Sequence, residues 1–579
     1  MKKTIKRRPL PENINLPATL HPVIRRVLAA RQIYDLKEID YSTQHLLPYT
    51  SLLSIDAAVN LLSEALTQQW RILIVADYDT DGATSCALAI KALQQMGANT
   101  VNYLVPHREK DGYGLTPEMV TRGIFVFQPQ LLITVDNGIS SITGVQAAKQ
   151  KGIKVLVTDH HLAPPQLPAA DVIVNPNQPN DTFSSKHLCG VGVIFYVMLA
   201  LRAKLREQGW FTKQGIVAPN LAHFLDLVAL GTVADVVTLD YNNRILVEQG
   251  IRRIRANQCC PGIRALLQIS KREPSQLVAN DLAFFLGPRL NAAGRMDDMS
   301  HGIACLLSEE DNTALQHAQL LDQFNQERRL VEADMQEAAL LELDRLSKMA
   351  RLPVGLCLFD ESWHQGVIGI LAARIKDRLH RPVIIFTGAD SESLKGSARS
   401  VSGVHIRDVL ANIQAQQPTL ITKFGGHAMA AGLTLPRAHL EQFQQCFDAE
   451  VRKYLPVENL EGVIVSDGEL TAAELNQLKL LELAEQLRTI TPWGQGFPEP
   501  IFDGEFELLD RRLLKDKHLK MSVRPLPGGP PLEAIAFYTI DKHWPLSVKR
   551  VKLAYKLDIN LFRGFKNVQL QVEYVEPLS

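Results

Sequence analysis

The chain has 579 residues, 46% hydrophobic and 21% charged, an ordinary globular composition that excludes a disordered chain, a collagen-like fibre and a coiled-coil rod. Its length predicts about three or four domains. With 62 Lys+Arg against 62 Asp+Glu the formal net charge is zero, so a polyanion-binding surface can only be a local patch balanced elsewhere.

The chain opens on a basic run with Lys2, Lys3, Lys6, Arg7 and Arg8. No long apolar stretch follows, so it does not read as a secretory signal. Apolar runs predict strands at 71–76, 101–105, 131–135 and 153–158, with helices at 85–96 and 142–151 between them. Near-continuous apolar strands separated by helices predict a parallel sheet covered on both faces. The longest apolar run, 190–201, has 12 residues. A membrane span needs about 20, so the run predicts a buried helix and no membrane association. From 185 to 270 the pattern is helical, and 308–349 reads as an extended linking helix. A second α/β unit follows, with strands at 354–359 and 382–386. The Pro- and Gly-rich segment 491–500 reads as a hinge, and alternating runs after it predict a small β-barrel.

Seven cysteines, Cys86, Cys189, Cys259, Cys260, Cys305, Cys357 and Cys446, are scattered and form no C-x-x-C pair. They fit neither a disulfide framework nor a zinc site, and they suit a reducing cytoplasm.

Three segments share one pattern, an apolar strand followed by acids at its carboxyl end. They are Asp77-Tyr78-Asp79-Thr80-Asp81-Gly82, Asp136-Asn137-Gly138 and Asp159-His160-His161. In an open parallel sheet the carboxyl ends of the strands line the ligand crevice, so the three are expected to converge. Five carboxylates and two imidazoles in one crevice repel and desolvate one another without a cation. One divalent metal or a pair resolves this, and oxygen-rich ligation with one or two His favours Mn2+ or Mg2+ over structural zinc. Taken singly, Asp136 and Asp159 read equally well as helix caps, and His160 and His161 as surface residues. A further acid, Asp235, follows Gly231-Thr232 in an apolar segment. An acid there is costly unless paired or ligated, which makes it a candidate last ligand.

Two other motifs fit the first segment less well. An EF-hand loop starting at Asp77 needs Glu at its twelfth position and a preceding helix, but Leu88 stands there and a strand precedes. An aspartyl-nucleophile phosphatase motif needs Thr or Val where Asp81 stands.

In order, DYDTDG, VDNG, DHH and GTVADV resemble the motifs of the DHH phosphoesterase superfamily. GPRLNAAGRM at 287–296, GSARS at 396–400 and GGHAMAAG at 425–432 resemble the RecJ family within it, bacterial 5′→3′ exonucleases specific for single-stranded DNA. The resemblance runs from roughly residue 70 to the end. It implies an α/β multi-domain chain. An N-terminal extension (1–70) precedes a parallel-sheet DHH catalytic domain (71–300) and a connecting helix (301–350). A DHHA1 domain (351–460) and an OB-type barrel (461–579) that binds single-stranded DNA complete it.

The resemblance further implies a two-metal phosphodiesterase that releases mononucleotides in DNA repair and recombination, including mismatch repair. Carried over, Asp79, Asp81, Asp136, His160 and Asp235 are its metal ligands, with Asp136 bridging. Asp77 and Asp159 are ligands or supporting groups, and His161 contacts the scissile phosphate or the leaving group. A monomer working beside single-strand-binding protein and a helicase is the expectation for that pathway.

In the second domain, Arg399 and Ser397 suit a phosphate clamp. Gly425 and Gly426 permit close backbone approach, and His427 can hydrogen-bond or stack. Arg289 and Arg295, read as a loop with Pro288 and Gly294, are further phosphate contacts. The plainer readings are a surface charge at Arg399 and a tight turn at Gly425-Gly426-His427.

Residues 505–579 carry 13 Lys+Arg against 9 Asp+Glu. Lys515, Lys517, Lys520, Lys549, Arg550, Lys552, Arg563 and Lys566 are interleaved with Phe537, Tyr538, Trp544, Tyr555, Phe562 and Phe565. Single-strand binders pair a basic groove with stacking rings, although alternating aromatics also build barrel cores. Two other functions compete: a small-substrate phosphoesterase, such as a pyrophosphatase, nanoRNase or cyclic-dinucleotide hydrolase, and a non-catalytic DNA-binding scaffold. The basic barrel favours a polymer substrate, and the complete set of acids and histidines favours catalysis.

Overall fold

Five strands pair in parallel in the order Val101–Leu104, Ile72–Ala76, Leu131–Val135, Lys154–Thr158, Val172–Val174. The strands Ile72–Ala76 and Leu131–Val135 are buried at every residue, because helices cover both faces of the sheet. On one face Leu73, Val75, Val155 and Val157 pack with Met119 and Val120 of helix Pro117–Phe127 and with Val145 of helix Ile142–Gln150. The other side carries helices Thr80–Gln95, Gly190–Glu207 and Leu225–Ala234, which pack on one another. The 190–201 run is thus a buried helix, as its length required. Among the described residues no single helix is long and apolar enough to cross a membrane.

The computed structural model describes residues 3–349, 352–455, 462–514, 518–526, 528–537, 548–562 and 565–578. The chain divides into two units, one of residues 5–322 with 465–579, the other chiefly of residues 323–464.

Two elements differ from the sequence reading at their starts. The first helix of the catalytic sheet begins at Thr80, five residues ahead of the apolar period, because Asp79 caps it by accepting from the Gly82 amide at 3.0 Å. A side-chain cap satisfies an amide that the helix leaves unpaired. The linking helix is 39 residues long and runs over Asp311–Met349.

In the second unit the sheet order is Lys423–Gly426, Ala430–Pro436, Ser393–Arg399, Val383–Gly388, Leu356–Phe359. Only the last two strands are parallel. Phe386, Phe443 and Phe447 are buried in its core.

The C-terminal strands close into a five-stranded barrel, in the order Phe502–Leu514, His518–Pro525, Leu532–Ala536, Phe565–Leu578, Arg550–Phe562. Its interior holds Phe502, Phe506, Met521, Leu553, Tyr555 and Leu570. Tyr555 is therefore a core ring, not a stacking platform. Lys515, Lys517, Tyr538, Trp544 and Arg563 lie outside the described residues.

The 491–500 segment is a fastened joint rather than a loose hinge. Trp493 and Phe497 stack with ring centroids 5.3 Å apart, and the Trp493 indole donates to the Leu487 carbonyl at 2.7 Å. The Arg244 guanidinium lies 4.2 Å above Phe497, and the Leu239 amide donates to the Gln495 carbonyl at 2.8 Å. Nearby, Arg31 and Asp467, with side chains 2% and 1% exposed, pair at 2.6 Å. The Pro and Gly content that reads as flexibility instead shapes a turn around two stacked rings.

Candidate metal centre

The loop after Ile72–Ala76 carries Asp77, Asp79 and Asp81. Asp81 sits in the first turn of its helix, fully buried. Its carboxylate accepts from the amides of Gly190 at 2.6 Å and Val191 at 2.8 Å. Asn291 braces the same loop by accepting from the Thr80 amide and hydroxyl, both at 2.8 Å. Gly294 stays a glycine because a Cβ there would overlap the Tyr78 carbonyl.

Asp136 follows Leu131–Val135 with φ +62°, a conformation uncommon outside glycine and frequent at functional sites. Asn137 anchors the turn by donating to the carbonyls of Val75 at 3.0 Å and Val135 at 2.9 Å. Asp235 ends helix Leu225–Ala234, and Val236 beside it has φ +60°, a genuine outlier for a β-branched residue.

His160 joins these acids. Its Nε2 lies 3.1 Å from Asp136 Oδ1, 3.5 Å from Asp235 Oδ2 and 3.9 Å from Asp81 Oδ2. Ligand-capable atoms fall into three overlapping groups, each within 4.8 Å: Asp77, Asp79 and Asp136; Asp81, His160 and Asp235; Asp136, His160 and His161. Asp136 and His160 each belong to two.

Asp159 stands apart. Its Oδ1 accepts from the amides of His160 at 2.7 Å and His161 at 3.1 Å, and contacts His161 Nδ1 at 2.7 Å. Its Oδ2 accepts from the Ile139 amide at 2.9 Å. The carboxylate is filled by protein partners, so its geometry is that of an orienting group rather than an open ligand.

The electrostatics separate the same two sets. Burial first, then the neighbouring Asp79, pushes Asp77 up to about 8 and Asp81 up to about 7. Burial and the surrounding acids hold Asp136 and Asp235 well above the carboxylate range. Burial opposes ionisation of Asp159 too, but His161 outweighs it and brings it down to about 2. In turn, burial works against the His161 charge, and Asp159 overrides it and raises the imidazole to about 10.

The residues fit a divalent cation. Asp136 Oδ1 is buried and accepts no hydrogen bond among the described residues. Burial and like charge favour protons on Asp77, Asp81 and Asp235 around it, which a cation would displace, and carboxylates with one or two imidazoles suit Mn2+ or Mg2+.

Residues 287–296 form a helix, Gly287–Met296, not a loop, continuous with a π-helical turn over Leu282–Leu286, a widening of the ladder of the kind found where a helix admits an irregularity such as Pro288. Arg289 is nearly buried there, with its guanidinium donating to Asp322 at 2.8 Å and to the Phe285 carbonyl at 2.6 Å. Arg295 lies close enough to Tyr78 to act on it electrostatically.

Arg399 and Ser397 sit on strand Ser393–Arg399, with Arg399 Nη1 3.3 Å from Ser397 Oγ. A Cβ on Gly369, in the first turn of helix Ile368–Leu379, would stand 2.9 Å from both groups. Gly425 and Gly426 end one strand of a hairpin whose turn holds His427. The His427 amide donates to the Ala430 carbonyl at 2.8 Å, and Gly426 has φ +143°.

Sequence reasoning missed Tyr113 and Arg108. The Tyr113 hydroxyl lies 3.3 Å from His161 Nε2, and its ring stands edge-on to both His161 and Tyr78. Arg108 lies 3.9 Å over the Tyr78 ring. The available signal was Gly112-Tyr113-Gly114, whose glycines have φ +80° and +71°.

Residues 71–232 match the DHH family, N-terminal domain, and residues 350–453 the DHHA1 domain. The acid and histidine set at the carboxyl edge of this sheet, followed by that second domain, defines a DHH-family phosphoesterase. Residues 466–574 match the RecJ OB domain. The chain is 53% identical over 576 residues to the single-stranded-DNA-specific exonuclease RecJ of Dickeya dadantii (strain 3937), covering 99% of each chain. It is 50% identical over 576 residues, again 99% of each, to that of Escherichia coli (strain K12). The chain belongs to the RecJ family. The crystal structure of RecJ in complex with Mn2+ from Thermus thermophilus superposes with a TM-score of 0.79 at 26% identity, over 97% of this chain and 76% of that one. The Mg2+ complex from the same organism gives 0.72 at 25% identity, with the same coverage.

Proposed function

We propose that the chain is a metal-dependent exonuclease that hydrolyses single-stranded DNA from the 5′ end and releases mononucleotides, in DNA repair and recombination. The observation that carries this is the sharing of Asp136 and His160 between overlapping ligand groups, in a chain that matches RecJ exonucleases along nearly its whole length.

Two cations fit the overlap. Asp77, Asp79, Asp81, Asp136, His160 and Asp235 would hold them, Asp136 being the carboxylate common to two of the groups. Bound there, such a pair supplies an activated water and charge stabilisation for both the attacking and leaving oxygens.

The chain's own groups do the rest. Gly190 and Val191 amides hold Asp81. Asp159 holds Nδ1 of His161, so a protonated imidazole presents Nε2–H to a phosphate oxygen or to the leaving 3′ oxygen. Burial of the acids keeps bulk water from screening them. No side-chain nucleophile is needed. Arg399 and Ser397 contribute a charge-assisted phosphate contact, and exposed side chains of the barrel, with Phe565 at 73% exposure, follow the strand.

The experiment is a digest of 5′-labelled and 3′-labelled oligonucleotides, single-stranded and duplex, with Mn2+ or Mg2+ and with chelator. The 5′ label should appear at once as mononucleotide from the single strand only, and chelator should stop its release. Early release of the 3′ label would reverse the polarity.

A further inference from the structure

The segment between strand Val172–Val174 and helix Gly190–Glu207 begins Asn175-Pro176-Asn177, a polar turn by composition. In the fold it grips the metal centre from behind. Asn175 Nδ2 donates to the His161 carbonyl at 2.9 Å, and Asn177 Nδ2 donates to the His160 carbonyl at 2.6 Å. The Asn177 amide donates to Asn175 Oδ1 at 2.7 Å. That bond fixes which end of the Asn175 carboxamide is oxygen and leaves its nitrogen to face His161. Asn175 is fully buried, and the Asn177 carboxamide also reaches the Lys186 carbonyl at 3.2 Å.

The same segment ends on Gly190 and Val191, whose amides hold Asp81. A Cβ on Gly190 would stand 2.5 Å from that of Asp136. One stretch of chain therefore sets the His160–His161 backbone at its start and Asp81 and Asp136 at its end.

We infer that Asn175 and Asn177 are positioning residues of the metal centre. They fix the two histidine carbonyls from one side while Asp159 fixes the two amides from the other. With both peptide units held, the imidazole of His160 has little freedom to leave Asp136 and Asp235. The polar turn thus acts on metal affinity and turnover without touching substrate. The inference rests on the metal-centre reading above.

The test measures Mn2+ binding by titration, chelator-controlled, beside kcat, KM for a single strand, and melting without metal. Asn177→Ala and the isosteric Asn177→Asp, which cannot donate, are compared with wild type and Asp136→Ala. Groups that orient metal ligands typically change metal affinity or activity by about 10–100-fold when removed. Both Asn177 variants should bind Mn2+ at least about 10-fold more weakly, lose kcat with KM unchanged, and recover part of kcat in excess Mn2+.

Wild-type Mn2+ affinity and kcat in a folded Asn177 variant would overturn the inference, provided Asp136→Ala loses Mn2+. If Asp136→Ala binds Mn2+ like wild type, the metal-centre reading itself fails. If both Asn177 variants are unfolded without metal, the bonds serve folding and the inference is also overturned.

Discussion

Asp159 Oδ1 lies 2.7 Å from His161 Nδ1, with the carboxylate side chain 1% exposed and the imidazole 28%. That contact divides the crowded acids into two kinds. His161 draws Asp159 down and is itself raised by it, whereas burial and like charges push Asp77, Asp81, Asp136 and Asp235 up, toward protons that a cation would replace. The imidazole beside Asp159 favours its charged form, whereas burial and like charges around Asp81 outweigh the two amides it accepts.

Asp159→Asn should therefore act through His161 and the loop rather than by removing a ligand. We expect kcat to fall by roughly 10–100-fold, with Mn2+ still bound. The basic limb of the pH–rate profile, where an imidazole raised by Asp159 loses its proton, should move toward neutral pH, because Asn cannot stabilise the charged ring. An unmoved basic limb in a folded variant would contradict the role.

Protons and metal compete for one site, which gives a signed pH dependence. Asp77 at about 8 and Asp81 at about 7 lie above their unfolded values. Each contributes stability that is full below about pH 4 and lost as pH rises through the folded value. His161, also raised, acts in the same direction at higher pH. Asp159 is lowered to about 2 and changes nothing in this window. The metal-free protein should therefore melt progressively lower from pH 5 to pH 8, and added Mn2+ should raise Tm more at pH 8 than at pH 5. Scanning calorimetry at both pH values checks it; an equal shift at both would contradict it.

Much of this was legible in the chain because the signals were redundant. Strands buried on both faces are near-continuous apolar runs, so 131–135 was readable to the residue despite Thr134, and each acid cluster sat just past such a run. What escaped notice depends on contacts distant in sequence. Residues 287–296 look like a Pro/Gly loop until Asn291 and Gly294 are seen against the Thr80 and Tyr78 backbone. The 491–500 segment looks mobile until Trp493 and Phe497 are seen stacked beneath Arg244. Asn175 and Asn177 have no signature beyond turn chemistry, because their partners are main-chain carbonyls.

Arg399 offers a guanidinium on a strand beside Ser397. Arg399→Ala should raise KM for single-stranded DNA by roughly 10–100-fold, the worth of a hydrogen bond to a charged group of about 1.5–3 kcal/mol. Mn2+ binding should be unchanged, since every candidate ligand lies between Asp77 and Asp235. A loss of Mn2+ affinity with intact DNA affinity would place Arg399 in the wrong role.

The barrel carries exposed Arg512, Lys549 and Arg550. Replacing all three with Gln should lower the salt slope of binding to a long single strand by about 2, at roughly 0.7 per phosphate contact. Phe565→Ala should weaken the same binding by about 1–3 kcal/mol, the worth of one stacked base. Salt titrations on a long and a short strand check both, and unchanged slopes would make the barrel a protein-docking module instead.

Asp136 is the proposed shared ligand of a metal centre that cuts single-stranded DNA. The direct measurement is Mn2+-dependent release of mononucleotides from labelled single-stranded DNA by wild type and by Asp136→Ala, with strand binding measured in parallel. Losing a stabiliser of transition-state charge worth several kcal/mol should cut turnover by at least about a thousandfold, while the variant still binds the strand. Near-normal turnover by Asp136→Ala would contradict a metal centre built on Asp136.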